Sequence, residues 1–300
     1  MLIRRSLSWV ATLAAAGSLA LTGCAKNNEG STAPTGSVSS VSAAQDLTAL
    51  VPADIKSKGV ITVGIDPTYA PNEYKNSSGK IVGFDVDLMD AIAQKLGLKT
   101  TYVESTFDNI IPGITAPTPK YDIGVSSFTD NKTREKTVDF VTYFNAGSQW
   151  ASLTTKKVDP DNACGLKVAV QTGTIQDNDD VPARSKKCVA AGKPAIDKQR
   201  YSKQADATTA VILGKADAFV ADSPVTAYGV KTSNGKLALA GDIYDAAPYG
   251  YPMKKGSPLV TPIQKALQAL MDDGTYKQIC AKWGNDAGEI TQAKINDAKS

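Results

Sequence analysis

The feature that most constrains the fold is an alternation of short β-branched runs with segments of helical periodicity. Strands are predicted at residues 59–65, 99–104 and 121–125, and helices at 83–97 and 107–115 lie between them. Strands separated by helices in this way run parallel and are joined by right-handed crossovers. The pattern therefore predicts an α/β fold with a mostly parallel sheet flanked by helices.

A second unit of the same kind follows. Its predicted strands are 166–170, 218–221 and 237–240. Its predicted helices are one that follows Ile175, breaks near Pro182 and ends near Ala191, one at 203–213, and one at 224–232 that begins with Pro224. In the helix at 203–213 we expect four residues to face inward, namely Ala205, Thr208, Thr209 and Ile212.

The C-terminal segments have no sheet of their own. A strand is predicted at 248–253, and residues 258–271 form a clearly amphipathic helix. A last helix carries Trp283. Because these helices need a sheet to pack on, we expect them to return to the first unit.

This return predicts two lobes, of which the first is discontinuous. The first lobe comprises 51–146 plus 247–300, and the second comprises 147–246. The chain then crosses between the lobes near 145–148 and near 246–250. Both crossings contain small residues, which suit a hinge.

Composition excludes several function classes. The net charge is +3, and it falls to +1 without Arg4 and Arg5, so no nucleic-acid partner is expected. The chain contains no histidine, which removes the commonest general base and the commonest metal ligand. We therefore expect no metal, no cofactor and no hydrolytic activity.

The N-terminus is typical of an exported lipoprotein. Arg4 and Arg5 precede an apolar run at 7–21, which is too short for a comfortable membrane span, so residues 1–23 are predicted to be a signal peptide. The run ends in Leu21-Thr22-Gly23-Cys24, which looks like a bacterial lipobox and implies lipidation of Cys24. The alternative is an ordinary signal peptide with an incidental cysteine. Residues 24–50 are predicted to be a flexible tether.

The remaining cysteines fit a protein that works outside the cytoplasmic membrane, where disulfides persist. Cys164 and Cys188 flank one predicted strand-plus-helix segment in polar surroundings, and we predict that they pair. Cys280 lies beside apolar residues at helical spacing, which indicates a small buried residue rather than a reactive thiol.

A candidate anion site follows the strand at 121–125. Three hydroxyls, from Ser126, Ser127 and Thr129, precede Arg134 within one turn and the first helical residues. Hydroxyls and N–H groups at a helix start donate to anions, and a guanidinium binds both oxygens of a carboxylate. The alternative is that the hydroxyls only cap the next helix and that Arg134 lies on a solvated face.

Five segments occur together in one order along the chain. They are Asp66-Pro67-Thr68-Tyr69-Ala70-Pro71, Gly83-Phe84-Asp85-Val86-Asp87-Leu88, Ser126-Ser127-Phe128-Thr129 with Arg134, Gln171-Thr172-Gly173-Thr174 and Ala221-Asp222-Ser223-Pro224. From about residue 60 to 283 the chain thereby resembles the family 3 extracellular solute-binding proteins of ABC importers, which bind polar amino acids. The resemblance implies a two-lobe periplasmic-binding-protein-like fold of type II that closes on a free L-amino acid.

The same resemblance implies how the ligand's charged groups are bound. Arg134 would bind the α-carboxylate, with help from Ser127, Thr129 and the backbone at Thr174 and Ile175. Asp222 would take the α-ammonium group. Many members of the family carry a hydroxyl residue at the position of Ile175, so here only its backbone N–H can serve.

The ligand side chain would lie between Tyr69 and Phe107, with Asp66 at its polar end. Because Arg134 and Asp222 already match a zwitterion's charges, Asp66 is left over and favours a cationic or hydrogen-bond-donating side chain. At the position of Asn72 the family usually has an aromatic residue, which forms part of the wall of the ligand pocket.

Each of these residues also has a purely structural interpretation. Asp66 could bond its own backbone in a turn before Pro67. Asp222 could cap the helix that begins at Pro224, and Tyr69 and Phe107 could simply pack in a core.

The lipobox-like segment and the resemblance together imply a monomeric, lipid-anchored receptor on the outer side of the cell membrane that presents its closed form to an ABC permease. No enzyme activity is expected. Two alternatives remain open, which are a small carboxylate-dependent dehydratase and a ligand-sensing lipoprotein on the same scaffold. Against the dehydratase, the sequence offers no histidine and no evident unassigned pair of acids.

Overall fold

The computed structural model describes residues 40–298. The predicted signal peptide at 1–23, the predicted lipidation site Cys24 and most of the predicted tether lie outside this range. Among the described residues, no helix is both long and apolar enough to cross a membrane.

The secondary structure alternates as predicted. The helices are α1 (Gln45–Thr48), α2 (Ala53–Lys58), α3 (Phe84–Lys95), α4 (Phe107–Thr115), α5 (Val181–Ala190), α6 (Gln204–Ile212), α7 (Ser223–Thr232), α8 (Val260–Asp272) and α9 (Thr275–Trp283). The strands are β1 (Val60–Ile65), β2 (Thr68–Tyr69), β3 (Glu73–Lys75), β4 (Ile81–Val82), β5 (Lys99–Glu104), β6 (Ile123–Gly124), β7 (Val138–Leu153), β8 (Lys167–Gln171), β9 (Asp197–Tyr201), β10 (Ala218–Asp222) and β11 (Leu237–Lys254).

The first sheet is parallel, with strand order β5-β1-β6. Helices α3, α8 and α9 contribute to the same hydrophobic core as β1, through residues such as Ile61, Leu88 and Ile263. The apolar face of α8 is buried as predicted, since Leu267 and Leu270 are fully enclosed. The C-terminal helices thus pack with the first unit. A small antiparallel sheet of β2, β3 and β4 lies beside it.

The second sheet has the order β11-β7-β10-β8-β9. Strands β10, β8 and β9 run parallel to one another, whereas β7 is antiparallel to both of its neighbours, β10 and β11. A π-helical turn at Gln176–Asp180 precedes α5. The structure is therefore α/β with two lobes, as the sequence predicts.

Three parts of the prediction need correction. Residues 45–50 of the predicted tether are folded, because α1 lies there and Leu47 is buried in the first core. Strand β9 was missed. The inward face of α6 was also wrong, since the buried residues are Gln204, Ala207, Ala210 and Val211. Alanine and threonine alternate there with little contrast in polarity, so the periodicity does not fix the buried face.

The largest difference concerns the two crossings. Strand β7 has 16 residues and β11 has 18, and they pair from Val138 opposite Lys254 to Leu153 opposite Leu237. Both predicted crossings lie inside this ribbon, where Ala146 is opposite Ala247. The lobes are therefore joined by paired strands rather than by two separate loops. The register shifts on either side of Tyr244 and again after Tyr249.

The predictions for Cys164, Cys188 and Cys280 are confirmed. Cys164 and Cys188 form a disulfide with an S–S distance of 2.05 Å. Cys280 is a free thiol that is completely buried in the first core. Burial raises the pKa of the Cys280 thiol to about 12, so it is unreactive at neutral pH.

Candidate functional site

A cleft of about 570 Å³ lies beside the β7–β11 ribbon. It is lined by the loop 129–133, the crossing residues 146–148 and 245–247, and the start of the π-helical turn. Of the predicted site residues, Thr129, Ile175 and Asp222 line this cleft directly. The remaining predicted residues lie around it, where the two lobes touch.

Arg134 lies at the junction of the lobes. Its Nη1 donates to the carbonyl of Thr129 at 2.8 Å, and its Nη2 donates to the carbonyl of Gly173 at 3.0 Å. The guanidinium carbon lies 5.5 Å from the ring centre of Phe107 and 5.3 Å from that of Phe128. The interpretation of Arg134 as part of a solvated face is therefore wrong. Burial lowers its pKa to about 10, so it stays positively charged at neutral pH.

Asp222 ends strand β10 and is 7% exposed. Its Oδ1 accepts from Gln176 Nε2 at 2.8 Å, and its Oδ2 accepts from the hydroxyl of Tyr249 at 2.7 Å. The side chain makes no capping bond to α7, so the capping interpretation is wrong. Burial raises the pKa of this carboxyl, while the attraction to Arg134 opposes the rise. The carboxylate of Asp222 and the guanidinium of Arg134 are thus close enough to attract each other electrostatically.

Asp66 is 3% exposed at the end of β1. Its Oδ1 accepts from the hydroxyl of Thr68 at 2.9 Å, and its Oδ2 accepts from Phe107 N–H at 3.2 Å and from Gln171 Nε2 at 2.7 Å. The carboxylate therefore bonds within its own turn through Thr68 and also reaches α4 and Gln171 at the end of β8. Burial raises the pKa of Asp66 to about 6, because the hydrogen bonds only partly offset the loss of hydration.

Tyr69 and Phe107 combine packing with a position in the site. The Tyr69 ring packs in the core of the second lobe, and its hydroxyl accepts from Asp222 N–H at 3.2 Å. Phe107 stacks on Phe128 with 4.3 Å between ring centres. Core packing and contact with a bound side chain are compatible roles for both residues.

The chain is similar to one family of known proteins over most of its length. Residues 61–286 match the sequence profile of the bacterial extracellular solute-binding proteins, family 3. The chain belongs to this family.

Two known relatives of this solute-binding protein carry arginine in their names. The arginine-binding protein ArgT of Corynebacterium glutamicum is 42% identical over 254 residues, which cover 84% of this chain and 83% of that protein. The L-arginine-binding protein of Pseudomonas aeruginosa is 32% identical, over 74% of this chain and 87% of that protein. Among solved structures, an ancestral arginine-binding protein bound to arginine is similar, with 33% identity and a TM-score of 0.68 over 75% of this chain and 98% of that one.

Two serines of this solute-binding protein have a different role from the predicted one. The hydroxyl of Ser126 donates to Glu73 Oε1 at 2.8 Å. Ser127 has a positive φ of 49°, and its N–H donates to Asp85 Oδ2 at 2.9 Å. Because these groups are directed at buried carboxyls, the prediction that they donate to a ligand carboxylate is replaced by a supporting role. The Thr174 hydroxyl donates to its own turn at Gln171 O, at 2.8 Å.

The carboxyl pair of Glu73 and Asp85 was missed by sequence reasoning. Both side chains are fully buried and are hydrogen-bonded to each other. Burial raises the pKa of both groups, and the charge of Asp85 raises that of Glu73 further. The statement that no unassigned acid pair exists is therefore wrong. Nothing in the local sequence distinguishes Glu73 from an exposed acid in a hairpin.

Asn72 is also buried rather than exposed in a pocket wall. Its Nδ2 donates to the Ser127 hydroxyl at 2.8 Å, and its carbonyl accepts from Asp85 N–H at 2.9 Å. Gln171 was quoted only as part of a motif, yet it joins Asp66 across the lobes. Its Oε1 is buried and has no hydrogen-bond partner among residues 40–298, so an acceptor remains next to Asp66.

Proposed function

We propose that this protein binds a free amino acid with a cationic or amide side chain, with L-arginine as the first candidate, for an ABC importer. The observation that carries the proposal is that Asp222 lines the cleft, that Arg134 directly follows the cleft-lining loop 129–133 and attracts Asp222 electrostatically, and that a third charged group, Asp66, is buried and hydrogen-bonded to Gln171. A zwitterion needs one group of each sign. The names of the relatives support the choice of arginine.

In this proposal Arg134 and Thr129 bind the α-carboxylate, together with the backbone N–H groups of Thr174 and Ile175. Asp222 binds the α-ammonium group. Tyr69 and Phe107 contact the ligand side chain, whose polar end meets Asp66. The acceptor Oε1 of Gln171 beside Asp66 adds a second place for a donor such as a guanidinium N–H.

We place the two lobes at 51–146 plus 247–300 and at 147–246. The ligand-binding groups are divided between them, and we propose that this division causes the lobes to close on a ligand. Arg134 and Asp66 belong to the first lobe, and Asp222 belongs to the second. A ligand that bonds to both lobes stabilises the closed state more than the open one, and only such differential binding shifts the equilibrium. The bonds from Asp66 to Gln171 and from Arg134 to Gly173 already link the lobes.

The direct test is isothermal titration calorimetry of the protein from residue 40 onward against a panel of free L-amino acids. The protein must first be unfolded and refolded so that carried-over ligand is removed. We expect arginine to bind most tightly, followed by lysine, histidine or glutamine. Binding of glutamate or aspartate alone would contradict the role of Asp66. Binding of no amino acid would refute the proposed function.

The affinity for arginine is expected to depend on pH through Asp66. The pKa of the buried carboxyl is raised to about 6, so lowering the pH through 6 neutralises the group that meets the cationic side chain. If only the ionised form binds arginine well, the affinity falls roughly tenfold between pH 7.5 and pH 5. Calorimetry at both pH values measures this ratio.

The control for this prediction is Asp66→Asn, which keeps the shape but cannot titrate. At pH 7.5 the affinity of this variant for arginine should be lower than that of the original protein. Between pH 7.5 and pH 5 the affinity of the variant should change little. A pH ratio that is equal in the original protein and in Asp66→Asn would show that another group is responsible.

We further propose that lipid on Cys24 anchors the protein to the outer face of the cell membrane, where it acts as a monomer. The support is the sequence Leu21-Thr22-Gly23-Cys24 after an apolar run. The Cys24→Ser variant should be found in the medium or periplasm rather than in the membrane fraction. A variant that stays in the membrane fraction would contradict lipidation, and sedimentation of the soluble protein tests the monomer.

The acid pair of Glu73 and Asp85 does not favour the dehydratase alternative. Both carboxyls have an exposure of 0% and are bonded to Ser126, Ser127 and Tyr143. A general acid or base must reach its substrate within hydrogen-bond distance. We therefore infer a supporting rather than a catalytic role, and a binding protein rather than an enzyme.

A further inference from the structure

Residues 294–298, which we name the C-terminal strap, run along the outer edge of strand β7. Backbone bonds join Thr142 to Lys294 at 2.8 Å and Asn296 to Phe140 at 3.1 Å. The side chain of Asn296 adds two bonds, because its Oδ1 accepts from Phe140 N–H at 2.8 Å and its Nδ2 donates to Asp139 at 2.9 Å. The strap is thus fixed to the first-lobe half of β7.

The end of the strap leaves β7 and reaches the loop that carries the proposed carboxylate-binding groups. The N–H of Asp297 donates to Asp130 Oδ2 at 2.8 Å, and the N–H of Ala298 donates to Glu135 Oε1 at 3.2 Å. Asp130 follows Thr129 directly, and Glu135 follows Arg134 directly. The strap therefore bonds loop 128–135 at two points, at Asp130 near its start and at Glu135 at its end. Asp130 is 2% exposed and also lines the cleft.

The opposite side of the same loop is bonded to β11. Asp130 N–H donates to the carbonyl of Pro248 at 2.8 Å, and Gly250 N–H donates to the carbonyl of Phe128 at 2.8 Å. The loop is therefore held between a strand of the ribbon and the strap. Without the strap, the side chains of Asp130 and Glu135 would lose the two N–H donors that oppose their mutual repulsion.

We propose that the C-terminal strap is a positioning segment for ligand binding, which holds loop 128–135 so that Thr129 and Arg134 are placed for the ligand carboxylate before the ligand arrives. The inference rests on the proposed function for its ligand. A binding loop that is ordered in advance loses less conformational entropy when it binds. Loss of the strap should therefore weaken binding even while the fold persists.

The test uses a matched pair of substitutions at one position. Asp297→Pro removes the N–H that donates to Asp130, whereas Asp297→Ala keeps it and loses only an exposed ion pair with Lys294. A truncation that removes 296–300 is the stronger variant. Gln268→Ala is the control for general loosening, because Gln268 binds the chain at Thr291 and Ala293, upstream of the loop contacts.

Two quantities are measured, which are the dissociation constant for L-arginine and the hydrogen exchange of amides 128–135 in the unliganded protein. For Asp297→Pro and the truncation, we expect roughly tenfold weaker binding and faster exchange in the loop. For Asp297→Ala and Gln268→Ala, we expect both quantities to stay near those of the original protein.

Equal loop exchange and equal affinity in all variants would overturn the proposal and leave the strap a role in fold stability only. Weaker binding in Gln268→Ala, in proportion to its loss of thermal stability, would do the same. If the full chain binds no amino acid, the proposed function fails, but the exchange experiment still decides whether the strap orders the loop.

Discussion

Replacing Arg134 by alanine is expected to weaken the binding of L-arginine by about a hundredfold or more. Removing one partner from a buried, hydrogen-bonded charge pair costs about 3 kcal/mol, which corresponds to roughly that factor. Two of the five N–H groups of Arg134 donate to carbonyls in the described structure, so the others can serve a carboxylate. Calorimetry with the refolded protein measures the loss.

The matched control is Lys136→Ala, which removes a positive charge from an exposed position two residues away. Its affinity should change less than twofold. Arg134→Lys should give an intermediate result, because lysine keeps the charge but cannot form the planar double contact. If Arg134→Ala bound L-arginine with the same affinity as the original protein, the proposal that Arg134 binds the ligand's α-carboxylate would be wrong.

Replacing Gly83 by alanine is expected to lower the free energy of unfolding by about 3 kcal/mol or more. Gly83 has a φ of 147°, which side chains rarely adopt, and an added Cβ would lie 2.0 Å from the carbonyl oxygen of Asn72. That oxygen accepts from Asp85 N–H at 2.9 Å, so it cannot move away without breaking the start of α3. Urea denaturation measures the change.

Gly79→Ala separates backbone strain from steric overlap. Gly79 also has a positive φ, of 78°, but an added Cβ there meets no atom within 4 Å. This variant should lose only about 1 kcal/mol. Similar losses at both positions would mean that the contact with Asn72 relaxes easily. Asn72 donates a hydrogen bond to Ser127, which directly precedes loop 128–135. We therefore also expect Gly83→Ala to bind ligand more weakly.

The fold was predictable where one face of each element is apolar. Strand β1 and helices α3 and α8 lie close to their predicted positions because burial and periodicity agree there. Strand β9 was missed because its sequence, Asp-Lys-Gln-Arg-Tyr, is polar throughout and pairs only at the sheet edge. The continuity of β11 was missed because the small and polar residues between the predicted strands at 237–240 and 248–253 resemble a loop.

The charges of the candidate site could be proposed from the sequence, but the direction of its hydroxyls could not. Arg134 and Asp222 were proposed from the resemblance and from the two charges of a zwitterion, and Asp66 because it is left over once those charges are matched. In the structure Arg134 and Asp222 attract each other, and Asp66 is bonded to Gln171. The serines were assigned wrongly because their acceptors lie far away in the sequence, Glu73 being 53 residues from Ser126. A single sequence does not reveal which distant carboxyl is folded beneath a turn.

The paired strands β7 and β11 set the way in which the lobes can move and the speed at which they do so. Since the hydrogen-bonded ladder runs through the crossing, the lobes can rotate by bending it, without separating the two strands. Register shifts beside Tyr244 make the ribbon easiest to bend next to Ala246 and Gly147. We therefore expect a low kinetic barrier to rotation, so that the association rate is set by diffusional encounter and the residence time by the bonds that the ligand makes to both lobes.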